Sequence, residues 1–118
     1  MRVAIRTITT IEGDPLEQIA LVDAANASHW IRILAGPEGE AGEESFDLNV
    51  CTPPWLQAEV ARSGPIVGRH LLIVERWDAE TVVRSLRQLF MAVEADDWSA
   101  VAQRLGRIGY WAFEDYQT

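Results

Sequence analysis

The residues best able to perform covalent chemistry in this chain are one thiol and two imidazoles. Among 118 residues there is a single cysteine, Cys51, and there are two histidines, His29 and His70. A helix beginning just after Cys51 would lower the pKa of its thiol and favour the nucleophilic thiolate. A lone cysteine in a strand is, however, usually a small buried hydrophobic residue, and the chain has no Gly-x-Ser-x-Gly motif. We therefore predict that the protein is not an enzyme.

The spacing of potential ligands does not favour a metal site. Two histidines far apart in sequence and one cysteine do not form a zinc signature. The segment from Glu38 to Asp47 is rich in carboxylates but lacks the alternating Asp/Asn pattern of a calcium loop. Its glycines are not followed by the Lys-Ser/Thr of a phosphate-binding loop, and its carboxylates would repel phosphate. The sequence predicts no metal and no cofactor.

Adjacent carboxylates offer a third kind of chemistry, general acid–base catalysis. Examples are the pairs Asp96-Asp97 and Glu114-Asp115. Because the members of each pair are neighbours in sequence, we do not expect them to converge on one substrate atom. Helix capping and solvation explain both pairs better.

Acidic residues are concentrated between Gly36 and Thr52, where no Arg, Lys or His accompanies them. Carboxylates within a Debye length of about 8 Å repel one another. A cationic partner would turn this repulsion into attraction and speed association, whereas the alternative is a solvated hairpin loop with no binding role. We predict partner contacts at Glu38, Glu40, Glu43, Glu44 and Asp47. A second, weaker set of candidate contacts is Glu114, Asp115 and Tyr116.

The overall charge also favours a basic protein as the partner. The formal net charge is −8, the isoelectric point is about 4.6, and all ten basic residues are arginine. A negative surface repels phosphate backbones, which disfavours direct nucleic-acid binding, whereas it speeds encounter with a basic protein. The alternative is that acidity serves only solubility.

The same composition gives an expectation for the compartment. No run approaches the roughly 18 apolar residues of a membrane span, and the N-terminal residues have the pattern of a strand rather than of a secretion signal. One cysteine cannot form an internal disulfide. We expect a cytoplasmic protein in a reducing environment, with no membrane contact.

Alternating apolar and polar residues predict strands over residues 2–11, 29–35, 45–51 and 68–77. In the first strand, Val3, Ile5 and Thr7 are expected on one face. Apolar residues on both faces of the fourth strand predict a central position. The glycine-rich residues 36–43 predict a hairpin loop longer than a two-residue turn, and residues 110–116 predict a final edge strand or a packed tail.

Three helices are expected between and after these strands. Thr52 is a good N-cap for the first helix, which should end at Gly64. This helix is expected to bury Trp55, Leu56 and Val60. The second helix follows Asp78, and the third runs from about Trp98 to Gly106. Apolar residues at helical spacing in the second are Val82, Val83, Leu86, Leu89, Phe90 and Val93.

These elements are neither strictly alternating nor segregated, which favours the α+β class. We predict a single domain over residues 1–118, with an antiparallel sheet of four to five strands packed on one face by two to three helices. Trp77, Trp98 and Trp111 fit core or helix-packing positions. If Trp30 or Trp55 is partly exposed, that residue would be a natural interface anchor.

The residues from Gly36 to Leu56, GPEGEAGEESFDLNVCTPPWL, resemble the core signature of the immunity protein 8 family. Further similarity lies at residues 68–70, 98–105, 107–109 and 111–116. Members of this family are immunity proteins of bacterial polymorphic-toxin and contact-dependent growth-inhibition systems. The resemblance implies a cytoplasmic, non-catalytic inhibitor that binds the C-terminal toxic domain of a partner protein. Partners of such proteins include nucleases, whose basic clefts an acidic protein could occupy as a phosphate mimic.

The leading hypothesis is therefore an immunity protein that neutralises a cognate toxin domain, a basic nuclease, by stoichiometric occlusion. The alternative is a small ligand-binding or adaptor domain of the α+β class that uses the polar face of the sheet and has no toxin partner. The sequence leaves the oligomeric state and the chemistry of the toxin open.

Overall fold

The computed structural model describes residues 1–112. The strands are β1 (Val3–Thr10), β2 (Ser28–Pro37), β3 (Glu44–Cys51), β4 (Leu71–Ile73) and β5 (Tyr110–Trp111). The helices are α1 (Pro53–Ser63), α2 (Ala79–Met91) and α3 (Trp98–Leu105), with a short 3-10 helix at Leu16–Gln18. The predicted α+β class is confirmed.

The described strands form one sheet in the order β1-β2-β3-β4, with β5 also beside β3. Strand β3 is central because β2 pairs along one edge, while β5 and β4 share the other edge at its beginning and end. All pairings are antiparallel except β3–β4, which is parallel because α1 carries the chain back between these two strands.

The β2–β3 hairpin has two contrasting faces. The inner face carries fully buried apolar side chains, at Ile31, Ile33, Ala35, Phe46, Leu48 and Val50. The outer face carries the alternate positions, which include Trp30, Arg32, Leu34, Ser45, Asp47 and Asn49. The predicted hairpin is confirmed, and its loop comprises residues 38–43.

Strand β1 contains an irregularity that the alternation pattern concealed. Ile5 lies opposite Ala35, but Thr7 lies opposite Leu34, so Arg6 is an extra residue in a β-bulge. Ile8 therefore takes the inner position, and Thr7 is exposed. The prediction that Thr7 shares a face with Val3 and Ile5 was wrong, because one inserted residue reverses the alternation.

Helices α2 and α3 cover the inner face. Helix α2 buries Val82, Leu86 and Phe90, and the Phe90 ring meets Phe46 edge-on with centroids 5.7 Å apart. Helix α3 buries Val101, Ala102 and Leu105. Both N-caps hold as expected: Asp78 accepts a hydrogen bond from the Thr81 N–H at 3.3 Å, and Asp97 accepts one from the Ala100 N–H at 2.8 Å.

Helix α1 lies against the outer face and buries no side chain fully. Trp55 and Leu56 are half-buried, and Val60 is 39% exposed, so the expected burial of Val60 was wrong. Thr52 occupies the N-cap position, but its hydroxyl instead accepts the Ala27 N–H at 3.0 Å, on the chain that enters β2.

The fourth strand is shorter than predicted and lies at the sheet edge rather than in the centre. Only Leu71–Ile73 pair with β3, and Ile73 is 52% exposed. Beyond Val74 the chain turns towards Trp77, whose main-chain N–H donates a hydrogen bond to the Ala24 carbonyl oxygen at 2.7 Å. Trp77 is buried, as expected. None of the helices within residues 1–112 has the length and apolar character needed to cross a membrane.

Candidate functional site

The acidic loop, residues 38–43, projects from one end of the β2–β3 hairpin. It begins with a turn in which the Glu40 N–H donates to the Pro37 carbonyl at 3.3 Å. Gly39, the third residue of that turn, has φ of 80°, which disfavours any residue with a side chain. The side chains of Glu38, Glu40 and Glu43 are exposed. Within the described chain, these three carboxylates have no hydrogen-bond or salt-bridge partner.

A single arginine from β1 holds the two arms of this loop together. The Nη2 atom of Arg6 lies 3.0 Å from the Pro37 carbonyl oxygen, 2.7 Å from that of Glu40 and 3.4 Å from that of Gly42. The arms approach so closely that a Cβ on Gly36 would lie 2.0 Å from the Gly42 oxygen. The acidic loop is therefore closed by main-chain contacts to one cation.

Glu44, at the base of the loop, forms hydrogen bonds within the protein. Its carboxylate accepts the indole N–H of Trp98 at 2.5 Å and that of Trp111 at 3.1 Å. Trp111 is almost fully buried and stacks near Phe46. Buried indole N–H groups need acceptors, so Glu44 joins the hairpin to α3 and β5. Its predicted contact with a partner stays a prediction, although both oxygens already have internal donors.

Asp47 is also paired within the protein. It lies directly opposite Arg32 on the outer face, and its two oxygens accept hydrogen bonds from Nε and Nη2 of Arg32, both at 2.9 Å. The hydrogen bond that Arg32 donates to this carboxylate raises the pKa of the guanidinium. Because the charge of Asp47 is balanced locally, it adds little to the field around the acidic loop.

The structure places a second acidic segment beside the loop. Arg2 pairs with Glu94 in an isolated antiparallel bridge, and its carbonyl accepts the Glu38 N–H at 2.9 Å. Glu38 and Glu94 therefore flank Arg2 on either side. Two strand spacings separate their main chains, a distance of about 10 Å. The neighbouring Asp96 is exposed. The term acidic end is used below for Glu38, Glu40, Glu43, Glu94 and Asp96.

Two arginines partly offset the charge of the second segment. Arg2 lies 4.0 Å from the Glu94 carboxylate, with both side chains mostly exposed, and Arg104 donates to the Glu94 carbonyl at 2.5 Å. The acidic loop also has a cation beside it, Arg6, which contacts main-chain oxygens of the loop but none of its carboxylates. Among the described residues, the carboxylates of Glu38, Glu40 and Glu43 therefore have no ion-pair partner, whereas that of Glu94 has Arg2.

For Asp96 and Asp97, the sequence predicts only helix capping and solvent exposure. Asp97 does cap α3, as expected. Nothing local in the sequence signals that this segment lies beside a loop about fifty residues earlier. The two segments are joined by the main-chain contacts of Arg2 and by the Trp98–Glu44 hydrogen bond. The other predicted contacts, Glu114, Asp115 and Tyr116, lie outside the described residues.

A second surface lies on the outer face, towards the opposite end of the hairpin. Trp30, which is 54% exposed, and the half-buried Trp55 line a groove of about 440 Å³. Asn49 and Ser28 also line this groove and hydrogen-bond to each other, with Nδ2 donating to Oγ at 2.8 Å. Trp30 and Trp55 therefore both meet the condition set for an interface anchor, which is partial exposure.

The thiol and imidazoles do not form an activated nucleophile among residues 1–112. Cys51 is buried, and burial raises the pKa of its thiol, which disfavours the thiolate. The His29 ring packs edge-on against Trp77, while Nε2 of His70 lies 2.8 Å from the Gly106 carbonyl oxygen. No group of three His, Cys, Asp or Glu side chains in this range is arranged to hold a metal ion.

Together these features define a small α+β protein whose most distinctive surface is the acidic end. The family model described as Immunity protein 8 matches residues 3–116, nearly the whole chain. The chain therefore belongs to the immunity protein 8 family, as the sequence resemblance predicted, and this membership supports a role in immunity to a toxin. Comparison with curated proteins and with solved structures found no match.

Proposed function

We propose that this protein binds the C-terminal toxic domain of a cognate bacterial toxin and neutralises it by stoichiometric occlusion. The acidic end covers the basic cleft of a nuclease domain and takes the place of its phosphate ligand. The protein performs no catalysis itself and acts in the cytoplasm, where the toxin would meet its target.

The observation that carries this proposal is the state of the carboxylates in the acidic loop. Glu38, Glu40 and Glu43 are exposed and unpaired within the described chain, on a loop that Arg6 closes. Glu44 and Asp47 are committed to internal partners. The first three are therefore the carboxylates whose charge is most available to another molecule, and Glu94 and Asp96 extend the same end.

Such a surface favours fast capture. Exposed like charges within a Debye length repel one another, although each exposed pair is worth only a few tenths of a kcal/mol. A basic cleft relieves this repulsion, and electrostatic steering raises association rates by roughly 10- to 1,000-fold at low ionic strength. An inhibitor that must intercept a nuclease before it reaches nucleic acid benefits directly from this gain in rate.

The experiment begins with the protein encoded immediately upstream of this chain. Co-expression should rescue cells from that protein's toxicity, and the purified pair should form a 1:1 complex. If the neighbouring protein is not toxic, or if no complex forms, the immunity proposal fails. Rescue without binding would instead point to catalysis.

Charge reversal then tests where the interface lies. Replacing Glu38, Glu40 and Glu43 together by Lys should slow association and flatten its dependence on salt. The matched control reverses Glu12, Asp14 and Glu17, which are exposed and lie near the other end of β1. This control makes the same change in net charge and should slow association much less. Equal effects of the two triple variants would place the interface elsewhere.

The groove beside Trp30 and Trp55 favours a second candidate function, a ligand-binding or adaptor domain without a toxin partner. In that case Trp30→Ala should abolish binding of the physiological partner, whereas reversal of the loop carboxylates should not. The immunity proposal predicts the opposite ranking of the two variants in toxin binding.

A further inference from the structure

We propose that Arg6 is a positioning residue that holds the acidic loop in its binding conformation without contacting the toxin. This inference rests on the proposed function, and it assigns a role to a cation inside an otherwise acidic surface. The role follows from the bulge in β1, the hydrogen bonds of the guanidinium and the close approach of the loop arms.

The bulge places Arg6 where it can reach the loop. Arg6 is the extra residue between Ile5 and Thr7, so it has no partner position on β2. Its side chain instead reaches the loop that follows β2 and shares the two hydrogens of Nη2 among three carbonyl oxygens. These oxygens belong to Pro37, Glu40 and Gly42, on both arms of the loop.

The loop is built tightly around this guanidinium. A Cβ on Gly36 would lie 3.0 Å from Nη2 of Arg6 as well as 2.0 Å from the Gly42 oxygen. Gly42 itself has φ of 111°, a conformation that residues with side chains rarely adopt. Gly36 thus leaves the space, and Gly42 supplies the backbone conformation, that allow Arg6 to contact all three loop carbonyls.

The hydrogen bonds and the charge of Arg6 should act on binding in opposite directions. An ordered loop loses less conformational entropy on binding, so the hydrogen bonds slow dissociation. The positive charge weakens the negative field of Glu38, Glu40 and Glu43, so it slows electrostatically steered association with a basic partner. Substitutions that separate charge from geometry therefore distinguish a positioning residue from a contact residue.

The first measurement needs no partner. Hydrogen–deuterium exchange of the full chain should show faster exchange for peptides covering residues 37–44 in Arg6→Lys. The Lys side chain is one bond shorter than that of Arg, so its ammonium group does not reach the position of Nη2 among the three carbonyl oxygens unless the loop shifts. Peptides from α2 should exchange as in the wild type. Arg87→Lys, at an exposed position on α2, is the control and should leave the loop unchanged. Wild-type exchange of the loop in Arg6→Lys would overturn the proposal.

The second measurement uses the complex with the upstream-encoded toxin domain. Arg6→Lys should raise the dissociation rate constant about 10-fold, the equivalent of one hydrogen bond of loop order, with an unchanged association rate constant and salt dependence. Arg6→Gln should raise dissociation similarly but also speed association at low salt. Arg87→Gln makes the same loss of charge on α2, where the arginine does not contact the loop, and should change neither rate constant by more than about two-fold.

Two outcomes in the complex would overturn the positioning role. One is wild-type dissociation of Arg6→Lys. The other is slower association of Arg6→Gln, which would show that Arg6 contacts an acidic group of the toxin directly. If the wild type forms no complex at all, the proposed function and the binding role of Arg6 both fail, while the exchange experiment still decides whether Arg6 holds the loop.

Discussion

Glu43 and Glu44 are neighbours in sequence, yet the structure predicts opposite consequences when each is replaced by Gln. Glu43 is exposed and has no partner in the described chain, whereas Glu44 accepts hydrogen bonds from Trp98 and Trp111. Glu44→Gln should therefore destabilise the fold without greatly changing association with the toxin. Glu43→Gln should slow association without changing the free energy of unfolding.

The magnitude for Glu44→Gln follows from its two indole donors. A Gln side chain keeps one carbonyl acceptor but presents an NH₂ group to the second indole N–H. The carbonyl should stay on Trp111, which is 4% exposed, and leave the half-buried Trp98 partly to water. A lost hydrogen bond to a charged group is worth about 1.5–3 kcal/mol. Partial hydration of Trp98 reduces this, so we expect a loss of about 1–2 kcal/mol.

Urea denaturation followed by far-ultraviolet circular dichroism measures this loss independently of the tryptophans' own fluorescence. Glu43→Gln is the matched control and should lie within about 0.5 kcal/mol of the wild type, as exposed substitutions usually do. A cycle with Trp98→Phe should show that much of the Glu44→Gln loss disappears when the indole donor is absent. Equal stability of the two Gln variants would refute the structural role of Glu44.

Three further predictions concern the fold around the site. Gly36→Ala should destabilise the protein by about 1–3 kcal/mol in urea denaturation, because its Cβ would collide with the Gly42 carbonyl, whereas Gly68→Ala, with open space around it, should be tolerated. Burial lowers the pKa of His29, so the folded state binds fewer protons than the unfolded state. The free energy of unfolding should therefore fall as the pH drops below about 6.5. Urea denaturation at pH 7 and pH 5 should show this loss in the wild type but not in His29→Phe. Asp97→Ala should cost about 1 kcal/mol, seen as a lower urea midpoint, because α3 loses its N-cap; an unchanged midpoint would show that the cap is dispensable.

Local pattern was enough to predict the elements whose residues alternate or recur regularly. The β2–β3 hairpin and helices α2 and α3 were all predicted, because burial of one face leaves a period of two or of 3.6 in the sequence. Strand β1 was found as well, but the bulge at Arg6 was not, because an inserted residue changes pairing without leaving a compositional mark. Helix α1 shows the converse, since its apolar residues are present but incompletely covered.

The sequence predicted which acidic residues belong to the site, but not which of them are paired inside the protein. The concentration of glutamates marked the loop, yet nothing near Glu44 indicates that two indoles from residues 98 and 111 would occupy its oxygens. The cross-strand pairing of Asp47 with Arg32 required the register of the hairpin. The nearness of Glu94 and Asp96 to the loop depends on Arg2, which contacts both segments. Long-range contacts of this kind have no counterpart in a local sequence pattern.

The hydrogen bond between Glu44 and Trp111 also determines when the loop can become fully ordered during synthesis of the protein. The two residues are 67 positions apart, and at about 5–20 residues per second the ribosome needs roughly 3–13 s to make that stretch. The hairpin can close while the chain is still emerging, because its loop is short and its pairing is local. The anchor at the base of the loop is completed only after Trp111 has left the ribosome. A nascent chain would therefore display the acidic loop before it could hold that loop rigid, and full protective capacity would come only with nearly the whole chain.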